Sequence, residues 1–328
     1  MKIGTKSILA NTVAASGLAL LLVACGGGDG GDSSTGTLNL DITDAAVDEA
    51  YAVVVEFAGV ELQPAEGPRI DYDFGVDADG EPVTRQIDLL ALTGGVSESI
   101  LEGATVPAGD YSWIRLKVNA ERGVMDSYIE LLDGNMHSLY IPSGTNSGLK
   151  LNRGFNVPAG GTASYTIDFD LRKSVHYPGN LDPSNPEDDY FLRPTLRLVD
   201  GNTDGALTGI IIDAMNDADC EVGEESIGAV YVFDGNDLSV IDDIDGMDDP
   251  VTSANASLSM EGEYAYTVAF LPEGDYVIAF TCDADDDVND LDADSPSDDD
   301  GPVDFVGEVM VTITAGQTTN HDFEIPVP

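Results

Sequence analysis

The strongest constraint on the fold is an alternation of apolar and polar residues along short segments that recur after residue 36. Segments such as Tyr111–Asn119 and Ser164–Leu171 carry apolar residues at every second position, which is the period of a strand with one buried face. Glycine, proline, aspartate and serine separate these segments every 8–15 residues, and helical periodicity is scarce. This pattern is typical of antiparallel β-sandwiches, so the sequence predicts an all-β fold.

A short internal repeat divides the chain after the first 36 residues. The sequence V-P-A-G-D-Y ends at Tyr111, and L-P-E-G-D-Y ends at Tyr276. A second pair follows, V-P-A-G-G-T running to residues 168–169 and I-T-A-G-Q-T running to residues 322–323. Proline and glycine at these positions suit a tight turn before a strand. The repeat predicts two sandwich domains in tandem, residues 37–200 and 201–328, which are joined near the D-G-N-T-D-G loop at 200–205.

Residues 1–24 are predicted to be a lipoprotein signal peptide. Two lysines precede an apolar run over residues 8–23, which is too short to span a bilayer comfortably. The following L-V-A-C resembles the lipobox of bacterial lipoproteins. The resemblance implies cleavage before Cys25, acylation of Cys25 and, because glycine follows it, an outer-membrane location. Residues 25–36 would form a flexible Gly/Ser/Asp tether. The alternative is an ordinary secretory signal, and the side of the outer membrane that the protein faces stays open.

The formal net charge is −48, and it is unevenly distributed. Residues 37–200 contain 27 acidic and 11 basic residues, whereas residues 201–328 contain 32 acidic residues and no lysine or arginine. Nucleic acid is therefore excluded as a partner, because its recognition needs a basic surface. Two interpretations of the acidity stay open: a solvated surface adapted to high salt, or calcium binding.

The cysteine count predicts one disulfide. With Cys25 acylated, Cys220 and Cys282 remain, and the expected compartment is oxidising. We expect the two to pair, which would close a loop of about 60 residues. The alternative is two buried thiols.

An acidic segment, D-A-D-D-D-V-N-D-L-D-A-D at residues 283–294, is a candidate calcium site. Its candidate ligands are Asp283, Asp285, Asp287, Asp290 and Asp294, because calcium takes six to eight oxygen ligands from flexible chain. The segment departs from the EF-hand pattern, with valine in place of the glycine and aspartate in place of the last glutamate. The alternative is a solvated acidic loop.

The strand Ser164–Leu171 places Asp168 and Asp170 on one face, about 7 Å apart, followed by Arg172 on the same side. A carboxylate pair at this distance suits general acid–base chemistry. Because acidic residues are so common in this chain, we expect instead an outward-facing ladder of charges.

A candidate ligand face lies on the strand Tyr111–Asn119. Inward-facing apolar residues leave Tyr111, Trp113, Arg115 and Lys117 on the opposite face. The single tryptophan thus lies beside two of the few bases and would offer a platform for a sugar ring or a partner side chain. The alternative is that Trp113 is covered and that arginine stacks on it.

No catalytic motif is present: the chain lacks G-x-S-x-G, H-E-x-x-H and a phosphate loop, and its histidines at 137, 176 and 321 are scattered. We therefore expect no enzymatic activity.

Seven segments of the first half occur together, namely Leu38–Ala45, Ile87–Leu90, the P-A-G-D-Y turn leading to Ile114–Leu116, Ile141–Gly144, Gly148–Leu151, Asp168–Val175 and Leu192–Pro194. With these segments, the first half resembles a bacterial family catalogued as domain of unknown function 4382. The family brings no established activity, so the resemblance implies architecture and location only; such domains commonly follow a lipobox. The second half, with its E-G-D-Y turn, resembles transthyretin-like or carboxypeptidase-regulatory-like sandwiches.

These features predict a non-enzymatic lipoprotein, anchored to the outer membrane through its lipid, that binds an envelope protein or a glycan and is stabilised by Ca²⁺. The alternative is a periplasmic or surface carbohydrate-binding or hydrolytic protein that uses the Trp113 face or a carboxylate pair.

Overall fold

We describe the protein from a computed structural model. The structure describes residues 34–45, 50–142, 148–176, 189–193, 195–216, 220, 226–241, 250–284 and 303–326. Residues 34–328 belong to one compact unit. The prediction of an all-β fold is confirmed, because the described elements are strands apart from one four-residue helix and three short 3₁₀ turns.

In the first half, the side chains of residues 113–119 alternate between buried and more exposed, whereas residues 166–170 are all buried, and Asp170 caps the short helix that follows them. The elements are β1 (Thr35–Ala45), β2 (Ala50–Pro64), β3 (Ile70–Asp73), β4 (Arg85–Asp88), a 3₁₀ turn (Leu89–Leu92), β5 (Glu98–Pro107), β6 (Gly109–Asn119), β7 (Tyr128–Leu131), β8 (Met136–Tyr140), β9 (Leu149–Leu151), β10 (Phe155–Val157), β11 (Thr162–Asp170), α1 (Leu171–Ser174), β12 (Val175–His176), β13 (Tyr190–Leu192) and β14 (Leu196–Asp200).

The described elements of the second half are β15 (Asp204–Ile212), a 3₁₀ turn (Ala214–Asn216), β16 (Ser226–Asp234), a 3₁₀ turn (Leu238–Val240), β17 (Thr252–Leu258), β18 (Tyr264–Pro272), β19 (Gly274–Thr281), β20 (Val306–Ile313), β21 (Thr318–Asn320) and β22 (Phe323–Glu324).

The strands form two sheets in the first half and one in the second. The first sheet has the order β14-β11-β1-β5, and the second has the order β10-β6-β2-β7-β8-β13-β12, with β3 and β4 on β2 and β9 on β6. The third has the order β20-β19-β16-β17-β18-β15-β21, with β22 on β15. All pairing of described strands therefore stays within residues 35–200 or within residues 204–324.

The sheets are mixed, which differs from the purely antiparallel sheets that the sequence predicts. The strand β1 runs parallel to β11, and β15 runs parallel to β21 and β22. In each half, the opening strand pairs with a strand from the end of that half, and local alternation carries no information about this long-range partner.

The repeated turns have the same role in both halves. The chain leaves β5 at Pro107 and enters β6, which belongs to the other sheet, at Gly109. The hydroxyl of Tyr111 donates a hydrogen bond of 2.7 Å to the Pro107 carbonyl. The hydroxyl of Tyr276 donates a bond of 2.9 Å to the Pro272 carbonyl. The motif thus ties each turn to the strand after it; in the first half this strand lies in the other sheet, whereas β18 and β19 belong to the same sheet.

Each half has its own apolar core. In the first, Leu38, Leu40 and Ile42 of β1 are fully buried, and Phe57 meets Phe169 edge to face with ring centroids 6.4 Å apart. In the second, the core includes Tyr266, Phe280 and Phe323. Burial of each such side chain contributes roughly 1.5–3 kcal/mol. The two cores hold the sheets rigid enough to position the polar groups between them.

Candidate functional site

Trp113, Arg115 and Lys117 lie on the outer face of β6, as predicted, and we call this surface the Trp113 face. The Trp113 ring is half-buried. The guanidinium carbon of Arg115 lies 5.1 Å from the ring centroid, and the ammonium of Lys150 lies 4.6 Å from it. At these distances both cations interact with the indole ring.

The charges of the Trp113 face are paired. Arg115 Nη1 lies 2.9 Å from Glu61 Oε2 on the neighbouring strand β2. Lys117 Nζ lies 2.7 Å from Asp73 and 3.0 Å from Asp71, both on β3. The hydrogen bond from Lys117 lowers the pKa of Asp71. Arg115 and Lys117 therefore already form ion pairs with carboxylates of the same chain.

Tyr111 does not belong to this face, so its predicted placement is wrong. Trp113 pairs with Gln63 and Tyr111 pairs with Pro64, which leaves Ser112 as one extra residue on β6. Such a bulge reverses the side on which preceding residues point. Tyr111 is consequently buried, with its ring stacked on Phe155 at a centroid distance of 4.7 Å. Burial raises the pKa of Tyr111 to about 12.

The expected outward ladder of Asp168, Asp170 and Arg172 is also wrong, because all three residues are buried. Arg197 Nε donates a hydrogen bond of 3.0 Å to Asp168. Asp170 accepts a bond of 3.2 Å from the backbone N–H of Lys173 and so caps α1. Burial raises the pKa of Asp170. The two carboxylates thus bind side chains and backbone of the same half.

The two bases of α1 reach the second half. Lys173 Nζ donates a hydrogen bond to the Pro250 carbonyl. Arg172 donates one to the Ala284 carbonyl and another, of 3.2 Å, to Asn255 Oδ1. The segment 168–173 is therefore a contact between the two halves. The sequence signal for this contact is the cluster of charged residues among apolar ones in D-F-D-L-R-K. Alternation alone does not reveal that the second half covers these charged residues.

Beside this contact lies a cleft of about 420 Å³, which we call the central cleft. Its first wall comprises the end of β1, the start of β2, the turn at 93–95 and Asp168; its second wall comprises residues of β17 and β18. Sequence reasoning missed this site, because its two walls come from segments at least 84 residues apart, the separation of Asp168 and Thr252.

Two aromatic residues line the central cleft. Tyr51, at the start of β2, is 71% exposed. Phe270 has φ +55°, a left-handed conformation that is unusual for a residue other than glycine. The strand β18 has one extra residue there, because Ala206 alone faces both Ala269 and Phe270. This bulge places Phe270 in the cleft lining.

The remaining lining mixes apolar side chains, such as Leu90 and Val268, with polar and acidic ones. Asp44 and Asp168 line the first wall, and Thr252, Ser253 and Ser257 line the second. Among the described lining residues there is no lysine, arginine or histidine. The cleft can therefore accept hydrogen bonds and attract positive charge, but it offers no cationic side chain to an anion.

Residues 35–194 match the model of a family described as "Domain of unknown function (DUF4382)". This region is a DUF4382 domain. The resemblance predicted for the first half is therefore confirmed, whereas the transthyretin-like nature of the second half stays a prediction. No curated protein matches the chain.

Several solved bacterial structures are similar to the chain that contains this DUF4382 domain. The TIE protein of Bacillus anthracis is 12% identical, with 89% of this chain covering 34% of that chain at a TM-score of 0.20. The major pilin subunit of Bacillus cereus is 12% identical, and the match covers 90% of this chain and 100% of that chain at a TM-score of 0.22. A putative carbohydrate binding protein of Pseudomonas aeruginosa is 13% identical, and the match covers 39% of this chain and 92% of that chain at a TM-score of 0.21. The chain thus spans about a third of the TIE protein, and similarities this low indicate no function.

The predicted disulfide is present in the part of the chain that follows the DUF4382 domain. Cys220 and Cys282 are bonded, and their α-carbons lie 4.9 Å apart. The bond joins the segment before β16 to the end of β19.

Most of the candidate calcium site lies outside the described residues, namely Asp285, Asp287, Asp290 and Asp294. Asp283 is described, and its carboxylate accepts a hydrogen bond of 3.3 Å from the backbone N–H of Asp304. Within the described ranges, no group of three or more histidine, cysteine, aspartate or glutamate side chains is arranged to hold a metal. Calcium binding by residues 283–294 stays a prediction.

Cys25 and the tether residues before Ser34 lie outside the described residues too. In the portion of the chain that the structure describes, no helix has the length and apolarity needed to cross a bilayer.

Proposed function

We propose that the protein is a non-catalytic binding module, held at the outer membrane by lipid on Cys25, which takes its ligand in the central cleft. The observation that carries this proposal is the cleft itself. Its volume of about 420 Å³ is in the range of small-molecule sites. Hydroxyl, carboxylate and aromatic side chains converge on it from both halves of the chain.

The state of the predicted carboxylate pair supports a non-catalytic role. Asp168 is bound by Arg197, and Asp170 caps α1 beside Lys173. General acid–base chemistry needs carboxyl groups that can reach the substrate and exchange protons with it. Asp170 does not line the central cleft, and Asp168, which does, is already bound by Arg197.

The Trp113 face is a weaker candidate for a ligand site. Arg115 and Lys150 already lie against its indole ring, and Glu61 already pairs with Arg115. A sugar stacking on a ring face that Arg115 or Lys150 covers would have to displace that cation. The central cleft makes no such demand.

The test compares a cleft-blocking variant with a matched control. Ser257 lines the cleft and is exposed, so Ser257→Trp should fill it without disturbing a core; Thr267→Trp does the same from β18. Thr318 is an exposed strand residue of the same half that does not line the cleft, and Thr318→Trp is the control. All variants carry Cys25→Ser so that they can be handled without detergent.

The probes are glucose, N-acetylglucosamine, cadaverine, and the capped tripeptides Gly-Lys-Gly and Gly-Glu-Gly, and binding is measured by calorimetry and by the melting temperature. At least one probe should bind the parent and the Thr318→Trp control but neither cleft-blocking variant. The proposal fails if no probe binds, or if binding survives in both cleft-blocking variants with their circular dichroism unchanged.

A further inference from the structure

The two threonine hydroxyls on the first wall of the central cleft both donate their hydrogens to backbone carbonyls. Thr43 Oγ1 donates to the carbonyls of Leu92 at 3.0 Å and Val96 at 2.7 Å. Thr93 Oγ1 donates to the Leu90 carbonyl at 3.2 Å. A hydroxyl has one hydrogen and two lone pairs. For any further partner, both threonines therefore act as acceptors.

The charged side chains of the cleft also favour a ligand that donates hydrogen bonds and carries positive charge. Asp44 and Asp168 are its charged lining residues, and Arg197 pairs with Asp168 from outside the lining. Both carboxylate oxygens of Asp44 are shielded from solvent. The charge of Asp44 therefore lies in a medium less polarisable than water, where electrostatic interactions are several times stronger.

The aromatic rings of the lining suit the same kind of ligand. The Tyr51 ring is largely exposed at the cleft, and Phe270 is held in the lining by the bulge of β18. The face of an aromatic ring attracts a cation within about 6 Å of its centroid. A net charge of −48 also raises the local concentration of cations around the whole chain.

These observations separate three classes of ligand. An anion would need basic side chains, and the described lining has none. An ammonium or guanidinium group has donors only, and it therefore matches the acceptors and the negative charge of the first wall; a sugar hydroxyl would use the hydroxyls of the second wall, which donate and accept, but not that charge. We infer that the central cleft takes the ammonium or guanidinium head of an organic cation, either a free polyamine or a basic side chain. This inference rests on the proposed function.

The decisive experiment compares cadaverine with 1,5-pentanediol, which has the same length and no charge. Calorimetry uses the Cys25→Ser protein in about 20 mM and about 150 mM salt, so that screening of exposed charge can be recognised. Cadaverine should saturate one site per chain at both salt concentrations, and pentanediol should not bind. The cleft-blocking Ser257→Trp variant should lose this site, and the Thr318→Trp control should keep it.

Two residues of the first wall then test the chemistry. Asp44→Asn keeps the shape of the side chain and removes its charge, so the dissociation constant should rise at least about tenfold. Tyr51→Leu should weaken binding by about two- to fivefold, and Tyr51→Phe should restore it, since the ring face is retained. If circular dichroism shows Asp44→Asn to be misfolded, Tyr51→Leu and Tyr51→Phe by themselves test the inference, because Tyr51 is exposed.

The capped Gly-Lys-Gly peptide identifies the source of the cation. Binding of the peptide but not of cadaverine would assign the head to a protein partner, and binding of both would support the shared chemistry. Equal, unsaturable cadaverine binding by Ser257→Trp would overturn the inference, because it would reflect general attraction to an acidic chain. If N-acetylglucosamine binds the cleft and cadaverine does not, this inference fails while the proposed function stands. If no probe binds, both fail.

Discussion

The sharpest prediction on stability concerns Gly209, in the middle of β15. A β-carbon added at this position would lie 1.6 Å from the carbonyl oxygen of His321 and 2.8 Å from the Tyr266 ring. Real β-carbons essentially never approach another heavy atom within 3.0 Å. In Gly209→Ala, the His321 carbonyl must therefore move by roughly 1.4 Å or more, the difference between these two distances.

Three hydrogen bonds hold the chain near His321 in place. The Tyr266 hydroxyl donates to the His321 carbonyl at 2.7 Å, and the His321 N–H donates to the Thr208 carbonyl at 2.8 Å. The Ile210 N–H donates to the Asp322 carboxylate at 3.1 Å. Each contributes about 1 kcal/mol, and overpacking adds about 1–3 kcal/mol. Gly209→Ala should thus lower the free energy of unfolding by about 4 kcal/mol or more.

Urea unfolding of the Cys25→Ser protein, followed by far-ultraviolet circular dichroism, measures this loss. Gly274 is the matched control, because it opens β19 in the same half and a β-carbon there would meet only ordinary contacts of 3.5 Å and beyond. Gly274→Ala should change stability little, or raise it by about 0.4–1 kcal/mol.

A double-mutant cycle with Tyr266→Phe tests the assigned cause. The lost hydroxyl should cost about 1 kcal/mol in the parent and close to nothing beside Gly209→Ala, where the bond to His321 is already broken. The reasoning is refuted if Gly209→Ala costs less than about 1 kcal/mol, or if Tyr266→Phe costs the same in both backgrounds.

Four further predictions follow from the anchor, the disulfide, the acidic segment and a half-buried histidine. Cys25→Ser should release the protein from membranes, and continued sedimentation with the outer membrane would place the anchor elsewhere. Replacing Cys220 and Cys282 by serine should cost about 4 kcal/mol in urea unfolding, since their separation is 62 residues; an unchanged midpoint would contradict this. Calcium at about 1 mM should raise the melting temperature at constant ionic strength if residues 283–294 bind it, and no rise would make them a solvated loop. Burial lowers the pKa of His321, so its contribution to stability is complete above about pH 6.5 and is lost as the pH falls towards the lowered pKa. On acidification, the melting temperature of His321→Gln should therefore fall less than that of the parent. An identical fall in both proteins would contradict this assignment.

Much of the fold follows from local sequence. Alternation identifies β6 and β11 as strands, because a strand with one buried face needs an apolar residue at every second position. The P-x-G-D-Y turns were recognisable for a similar reason, since proline and glycine restrict the backbone locally. Cys220 and Cys282 could be paired by count alone.

The errors have one origin, which is that alternation says which residues share a face and not what lies against that face. Ser112 adds one residue to β6 opposite β2, and this moves Tyr111 from the predicted ligand face into the core. Asp170 and Arg172 alternate as outward residues should, yet they are buried.

The sequence by itself thus determined the β-strands, the tight turns, the disulfide partners and the acidic surface, because each depends on nearest neighbours, composition or a count. Only the tertiary structure decided the parallel partners of β1 and β15, the burial of segment 168–173 and the existence of the central cleft. These depend on how two separately patterned halves meet, and the walls of the cleft come from β1 and β2 on one side and from β17 and β18 on the other. No periodicity within either half encodes how the two halves pack against each other, because packing between sheets is set by the shapes of both surfaces together.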